Sequence, residues 1–350
     1  MKTLVMMMTL VVLALTTSAV DAQTIDGTWR ARLRDTWTRA DGQPWLSIQL
    51  QQDDDHQLGL SLPLADLEGL GARGDRWTAN DIRFSVRRDA GTIDFQGDFA
   101  DGRGTGTWRF APNADFVTEL RKSYAGLSAE QVFRLAVHDV SRAFIASMKS
   151  EGYDGALLNE LVKMRIHGVD APYVQGLRKA GYDRLSVGEL VKTRIHGATP
   201  EFAQEVKSAG YDKLPVEALI KMRIHGITPE FIREMTDLGF KNVPLEDLLK
   251  LRIHGVSPSF IREMRDLGYR DLGVPDLVRF RIHGVSAEFV KELRDLGYSS
   301  VPANDLVRMR IHGVTPSFIR DVQAAGFKNM TPDDLVDFSI HGRRWLKKRA

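Results

Sequence analysis

Histidine is the residue in this chain whose type and spacing most suggest chemistry. Imidazole binds metals, carries protons and changes its charge near neutral pH. Eight of the nine histidines recur at intervals of 29 residues, from His138 to His341. The six between these two are candidate partner-facing positions: His167, His196, His225, His254, His283 and His312.

The regular spacing permits two interpretations of these histidines. The first is a metal or proton ladder, but stacked helical units stand about 10 Å apart, whereas the donors to one zinc ion lie about 2 Å from it. No HExxH or HxH motif is present, and the chain has no cysteine. We favour the second interpretation, in which imidazole caps carbonyls at helix C-termini. We therefore predict no metal and no cofactor, and we expect partner binding to depend on pH near about 6–7 if the rings are exposed.

An arginine stands two residues before each of the six histidines. Its phase places it within the apolar arc of its helix, so we expect it to be buried and hydrogen-bonded to helix-end carbonyls. We interpret these arginines as structural residues, each of which joins one repeat to the next. These repeat arginines are Arg165, Arg194, Arg223, Arg252, Arg281 and Arg310.

Two short helices per repeat must position these side chains. Glycine, which adopts the left-handed conformation readily, is predicted to end both, and an aromatic residue always follows the glycine that ends the first. Helices of about ten residues are unstable alone, so the units are expected to stack into a solenoid. The second helix is predicted to begin near Ser186, Pro215, Pro244, Pro302 or Thr331. The first is predicted to begin at residues whose side chains cap helices, namely Ser141, Asp170, Thr199, Thr228, Ser257, Ser286 and Thr315.

Helical phase predicts which side of each helix is buried. Lys221 and His225 fall on the outward side of a second helix. Its predicted buried arc contains Leu219, Ile220, Met222 and Ile224. In the following first helix the predicted buried face contains Phe231, Ile232, Met235 and Leu238.

Residues 23–115 are predicted to form a small antiparallel β domain, either a barrel or a sandwich. Gly27–Asp35 alternates apolar residues with arginines, and five further strands are predicted up to residue 110. The expected aromatic core contains Trp29, Trp45, Trp77, Phe95, Phe99, Trp108 and Phe110. Small barrels are usually filled by side chains, but a ligand in this domain remains an alternative. We interpret Asp53–Asp55 as a solvated turn rather than a calcium site.

The two ends of the chain have their own predicted roles. Residues 1–22 have the basic start, apolar run and small residues of a signal peptide cut after Ala22. This predicts a periplasmic or secreted protein, and the apolar run is too short to be a membrane anchor. A linker is expected at 116–125 and the repeats at 126–342. The basic tail at 343–350 is expected to be solvated, with at most a peripheral contact to anionic membranes.

The distribution of charge argues against a nucleic-acid binder. The net charge of +2 divides into −4 for residues 23–115, +1 for 116–342 and +5 for the tail. The turn I-H-G-V-T-P-E-F-I partly resembles a helix-hairpin-helix, which binds DNA phosphates through a glycine turn. Glu201, Glu230 and Glu288 put negative charge where phosphate would lie. DNA backbone binding is therefore a minor alternative.

The repeat also resembles a known group of sequences. The unit L-x-x-L-R-I-H-G-V-T-P-x-F-I-R-E-M-x-x-L-G-Y, over about 126–342, is similar to repeats in exported or envelope proteins of soil-type bacteria. Some of those repeats follow membrane metallopeptidases of the BlaR1 type. The resemblance implies a bacterial envelope context and no particular activity. The peptidase HExxH motif is absent from this sequence, so protease activity is not implied.

The sequence therefore predicts an exported α+β multidomain protein, with a β domain followed by about seven and a half two-helix repeats. We expect a non-enzymatic scaffold that binds a protein or peptide partner in the envelope. The alternative is a small-ligand or sensor protein that uses the β domain, with the repeats as a spacer or dimerisation arm. An enzyme is not expected, because no phosphate loop, nucleophile elbow or metal spacing is present.

Overall fold

A computed structural model describes residues 25–34, 44–52, 57–71 and 76–342. The expected signal peptide, the Asp53–Asp55 turn and the basic tail lie outside the described residues. The α+β fold class is confirmed, with strands through residue 112 and helices from residue 114 onward. No helix in the described ranges combines the length and the apolar character needed to cross a membrane.

Six strands form one antiparallel sheet in the order β3-β2-β1-β6-β5-β4. The strands are β1 (Ile25–Arg34), β2 (Trp45–Gln51), β3 (Gln57–Pro63), β4 (Ala79–Arg88), β5 (Gly91–Ala100) and β6 (Arg103–Pro112). The period-two pattern is confirmed on β1, where Trp29, Ala31 and Leu33 are buried and the intervening Arg30 and Arg32 are exposed.

The sheet curls around its aromatic core. Trp29 on β1 and Phe84 on β4 lie three strand positions apart, a distance of about 14 Å in a flat sheet. Their ring centroids are nevertheless only 5.5 Å apart, in an edge-to-face arrangement. After β3, Glu68 forms a backbone bridge to Ser85 of β4, so the chain beyond β3 reaches the β4 end of the sheet. This arrangement brings distant strands around one core.

The first half of the expected linker at 116–125 lies in a helix. Helix α1 (Ala114–Leu120) begins at Asn113, whose side chain accepts hydrogen bonds from two helix amides. Phe116 in this helix is fully buried. Helix α2 (Ala129–Val137) follows, and its Phe133 stacks on Trp108 of the sheet at 4.9 Å. The first repeat helix is therefore part of the sheet's core.

The following fourteen helices alternate in the predicted way. The first helices of the repeats are α3 (Arg142–Ser150), α5 (Ala171–Lys179), α7 (Pro200–Ser208), α9 (Pro229–Asp237), α11 (Pro258–Asp266), α13 (Ala287–Asp295) and α15 (Pro316–Ala324). The second helices are α4 (Leu158–Ile166), α6 (Val187–Ile195), α8 (Val216–Ile224), α10 (Leu245–Ile253), α12 (Val274–Ile282), α14 (Ala303–Ile311) and α16 (Pro332–His341). Together with α2 they account for seven and a half repeats.

The predicted helix caps are confirmed. At six first helices, the side chain of the predicted Ser or Thr accepts a hydrogen bond from the amide three residues on. Ser128 and Ser186 form capping boxes at α2 and α6. The first-helix face of Phe231, Ile232 and Met235 is buried, as predicted. These caps matter because each helix has only nine or ten residues.

The chain divides into two compact units between Pro172 and Tyr173. Unit 1 contains the sheet and the helices through α4. Unit 2 contains the helices from Tyr173 onward, where alternate helices stack, as α7 on α9, α10 on α12 and α14 on α16. The expected linker at 116–125 lies within unit 1, where α2 also packs on the sheet.

Candidate functional site

The histidines end the second helices through their backbone. Each candidate histidine is a C-cap residue whose N–H donates to the carbonyl four residues earlier, as His225 does to Lys221. The rings are half-exposed at His167 and His283 and exposed at the other four. No imidazole hydrogen bond to a helix-end carbonyl occurs in the described part of the chain, so the imidazole-capping interpretation is wrong. Nor do three potential metal-ligating side chains cluster anywhere in the described residues.

The histidine carbonyl accepts a hydrogen bond from the arginine of the next repeat. Arg252 Nε donates to the His225 carbonyl oxygen, and Arg310 Nε donates to that of His283, both at 3.3 Å. A carbonyl at a helix C-terminus lacks a partner within its own helix, so these bonds join successive repeats. The prediction that the arginines contact helix-end carbonyls is confirmed at these two positions.

The prediction that the repeat arginines are buried is wrong. Arg194, Arg223, Arg252 and Arg281 are exposed, and Arg165 and Arg310 are half-exposed. Each guanidinium instead lies over the aromatic ring 21 residues earlier, a cation–π contact. The carbon-to-centroid distances are 5.2 Å for Arg165, 4.4 Å for Arg194, 4.9 Å for Arg223, 4.9 Å for Arg252, 5.1 Å for Arg281 and 5.0 Å for Arg310.

At four turns the glycine after the histidine leaves room for the arginine of the next repeat, namely at Gly197, Gly226, Gly255 and Gly284. Gly226 has φ +67°, in the left-handed region that glycine tolerates. A Cβ atom at Gly226 would stand 2.7 Å from Arg252 Nη2, and one at Gly284 would stand 2.9 Å from Arg310 Nη2. Glycine is therefore needed at these turns for two reasons. It allows the left-handed backbone conformation, and it leaves space for the guanidinium of the next repeat.

An isoleucine beside each arginine projects into solvent. In unit 2, Ile224 is 53% exposed and Ile253 is 58% exposed, so the prediction that Ile224 is buried is wrong. The equivalent residues Ile195, Ile282, Ile311 and Ile340 are between 50% and 55% exposed. Ile166 in unit 1 is similar at 52%. The isoleucine stands in the last helical turn, beyond the reach of the buried face.

These side chains form a continuous surface in unit 2, which we call the Arg–Ile ladder. It comprises Arg223, Ile224, Arg252, Ile253, Arg281, Ile282, Arg310 and Ile311. Because Arg252 lies against the turn at His225 and Gly226, arginines and isoleucines alternate along the stacked helices. The exposed histidines flank this line.

Comparison with protein-family models finds no match for this chain. Comparison with curated proteins finds no match either.

The electrostatics of the ladder differ from those of its neighbours. Three residues before Ile253, Ile282 and Ile311, basic side chains are paired: Lys250 with Asp247 at 2.8 Å, Arg279 with Asp276 at 3.8 Å and Arg308 with Asp333 at 2.6 Å. In the described part of the chain, by contrast, the four ladder arginines have no ion-pair partner. The ladder therefore has unneutralised positive charge beside exposed apolar side chains.

Two features of the repeats were not predicted from the sequence. Ile224 was expected in the core because its helical phase matches that of buried residues, although the helix ends there. The hydrogen bond of the tyrosine after the first-helix glycine was not expected either. Tyr211, Tyr269 and Tyr298 each donate a hydroxyl hydrogen bond to a carbonyl 32 residues later. The fixed aromatic position was the available signal for this second link between repeats.

The helix N-termini beside the ladder do not favour phosphate. Hydrogen bonds from its own backbone N–H and from the Thr199 hydroxyl hold the pKa of Glu201 below its usual value. Glu230 has the same arrangement with Thr228, which lowers its pKa too. Carboxylates therefore lie at these amides, where a DNA phosphate would have to bind.

The β domain has an open groove of about 970 Å³. Exposed polar residues of β1, β4, β5 and β6, including Arg83 and Asp94, line it together with the buried aromatic residues Phe84, Phe95 and Trp108. Because the groove is open to solvent, it is not the closed apolar cavity that would favour a small-ligand function.

Proposed function

We propose that this protein is an exported, non-enzymatic scaffold whose repeats bind a protein partner along the Arg–Ile ladder. The observation that carries the proposal is the row of half-exposed isoleucines, one per repeat. Apolar residues scattered singly on a surface need no explanation, but a contiguous exposed row is typical of an interaction site.

The energetics of the row support binding rather than folding. Burying a whole isoleucine side chain contributes about 1.5–3 kcal/mol, so each half-exposed side chain offers about 1 kcal/mol to a partner that covers it. The same isoleucine recurs in six helices of unit 2, where a polar residue would satisfy the fold equally well. A partner that spans several repeats therefore gains binding free energy from the isoleucine of each repeat.

The envelope location is part of the proposal and rests on the signal-like residues 1–22 and the repeat resemblance. An exported protein should begin at Gln23 after cleavage, which mass spectrometry of the mature chain tests. A mature chain that retains residues 1–22 would contradict export.

Affinity capture tests the scaffold role. We expect the full mature chain to retain a partner from envelope extract, and the combined variant Ile224→Ser, Ile253→Ser and Ile282→Ser to lose it. Leu157→Ser is the matched control, because Leu157 is 61% exposed but lies outside the ladder. Equal retention by the ladder variant and the control would overturn the proposal.

A further inference from the structure

We propose that the partner presents an acidic, extended polypeptide segment to the Arg–Ile ladder, with three residues of the segment per repeat. This inference rests on the proposed function and specifies the chemistry of the partner. It follows from the charge of the ladder, the geometry of its arginines and the spacing of its repeats.

The charge of the ladder calls for carboxylates. The ladder arginines lie over aromatic rings and have no ion-pair partner in the described residues, whereas Lys250, Arg279 and Arg308 beside them are paired. The planar guanidinium presents its N–H groups in a fork, which suits the two oxygens of a carboxylate. A second copy of the ladder is a poor occupant, because it would bring arginines against arginines.

The spacing of the ladder selects the conformation of the segment. Stacked helices stand about 8–10 Å apart, and the ladder advances by one helix per repeat. A polyproline II chain rises about 3.1 Å per residue with three residues per turn, so every third side chain returns to the same face after about 9 Å. A β-strand returns every second side chain to one face after about 6.7 Å, which does not match the ladder.

The recurrence of one arginine and one isoleucine per repeat then determines the order of side chains in the segment. One residue of each triplet places a carboxylate on an arginine, and the next covers an isoleucine with an apolar side chain. The third faces away from the ladder. A repeating acidic–apolar–any pattern therefore fits consecutive repeats in one register.

A polypeptide fits this surface better than an anionic membrane does. Residues 116–342 have a net charge of only +1, so long-range attraction to a charged bilayer is weak. The ladder arginines recur along one line at the spacing of the repeats, and lipid headgroups, which diffuse freely, do not require such a register.

Fluorescence anisotropy with synthetic peptides tests the proposal on the full mature chain. The probe is a labelled peptide of six Asp-Leu-Pro triplets. One control peptide has the same composition with its aspartates clustered at one end, and another has lysine in place of aspartate. We expect binding of the triplet peptide that weakens with added salt, and at least about tenfold weaker binding of both controls.

Two variants assign the binding to the ladder. The combined variant Arg223→Gln, Arg252→Gln and Arg281→Gln should bind the triplet peptide about tenfold more weakly. The isoleucine variant used for capture should also lose affinity for the triplet peptide. Agreement between the two variants would show that the loss does not come from a folding defect of the arginine variant alone. Leu157→Ser should bind as the wild type does.

Three outcomes would overturn the inference: no binding of the triplet peptide, equal binding of the clustered peptide, or ladder-dependent binding to phosphatidylglycerol vesicles without peptide binding. If envelope capture still depends on the ladder isoleucines, the scaffold proposal stands while this inference fails. If capture is also independent of the ladder, both fail.

Discussion

The contacts that stabilise unit 1 internally and those that stabilise unit 2 internally differ in the sequence separation of the residues they join. In unit 1, Trp108 Nε1 donates to the Thr28 carbonyl 80 residues away, and Trp29 Nε1 donates to that of Thr107, 78 residues away. In unit 2, the links between repeats described above join residues between 21 and 32 positions apart, as Arg252 to Phe231 and Tyr269 to Val301. Unit 1 thus depends on distant segments meeting, whereas unit 2 depends on each repeat meeting the next.

This difference explains where binding residues can accumulate. A core built from distant strands tolerates little change, because each aromatic ring contacts several strands. A repeat array has a stability that is approximately a sum of neighbouring terms, so an exposed position can recur without affecting the core. The ladder isoleucines occupy such a position.

The start of the array also depends on unit 1. Arg142, at the first residue of α3, donates from its backbone N–H and its side chain to Asp89, which follows β4. The hydrogen bonds from the Arg142 side chain hold the pKa of the Asp89 carboxyl below its usual range. With Phe133 stacked on Trp108, the sheet provides the first repeat helices with a surface on which to pack.

The largest expected effect is loss of the sheet core. Trp108→Ala removes a fully buried ring that stacks on Phe133, and we expect a loss of about 3–5 kcal/mol in the stability of unit 1. Hydrogen exchange should show lower protection in β1, β5, β6 and α2, with little change in α10–α14. Equal loss of protection in α10–α14 would contradict the comparison between the units.

A smaller and more local effect is expected at the ladder turns. Gly226→Ala forces a side chain into the left-handed region, at about 1–2 kcal/mol, and displaces Arg252 as well. Gly313→Ala is the matched control, because Gly313 has φ +71° and no atom within 4 Å of its Cβ position. We expect a lower melting temperature for Gly226→Ala than for Gly313→Ala. Equal melting temperatures would show that Arg252 clearance does not matter.

The tyrosine link should contribute less. Tyr269→Phe removes the hydroxyl that donates to the Val301 carbonyl at 2.7 Å and should reduce stability by about 1 kcal/mol. Phe240 occupies the same position in the preceding repeat without a hydroxyl, so the repeat tolerates the change. An unchanged midpoint of denaturant unfolding would show that this hydrogen bond does not contribute to stability.

The smallest effect concerns pH and unit 1. Burial, together with the charge of Arg134, lowers the pKa of His138. The unfolded chain therefore takes up a proton first as the pH falls through about 6.5, so the stability from the neutral ring is present above that pH and declines below it. We expect protection in α2 to fall between about pH 7 and pH 5, and less so in His138→Gln. Identical pH profiles would contradict this.

Local signals in the sequence predicted most of the repeat. The caps at Thr228 and Ser257 follow from local hydrogen bonding, and the buried face follows from helical period. The exposure of Ile224 could not be predicted in the same way, since it depends on where the helix stops relative to its neighbour. Packing of Phe133 on Trp108 likewise joins two segments that no local pattern relates, so this contact could not be predicted from the sequence.

Site-specific photo-crosslinking tests whether a partner protein docks on the Arg–Ile ladder. A photoreactive amino acid replaces Ile253 on the ladder in one variant and Leu157 outside it in another, both in the full exported chain. We predict a discrete crosslinked protein from Ile253 that is absent from Leu157 and is suppressed by Arg223→Gln with Arg281→Gln. Crosslinks of equal yield from both positions, or none from Ile253, would contradict a docking role for the ladder.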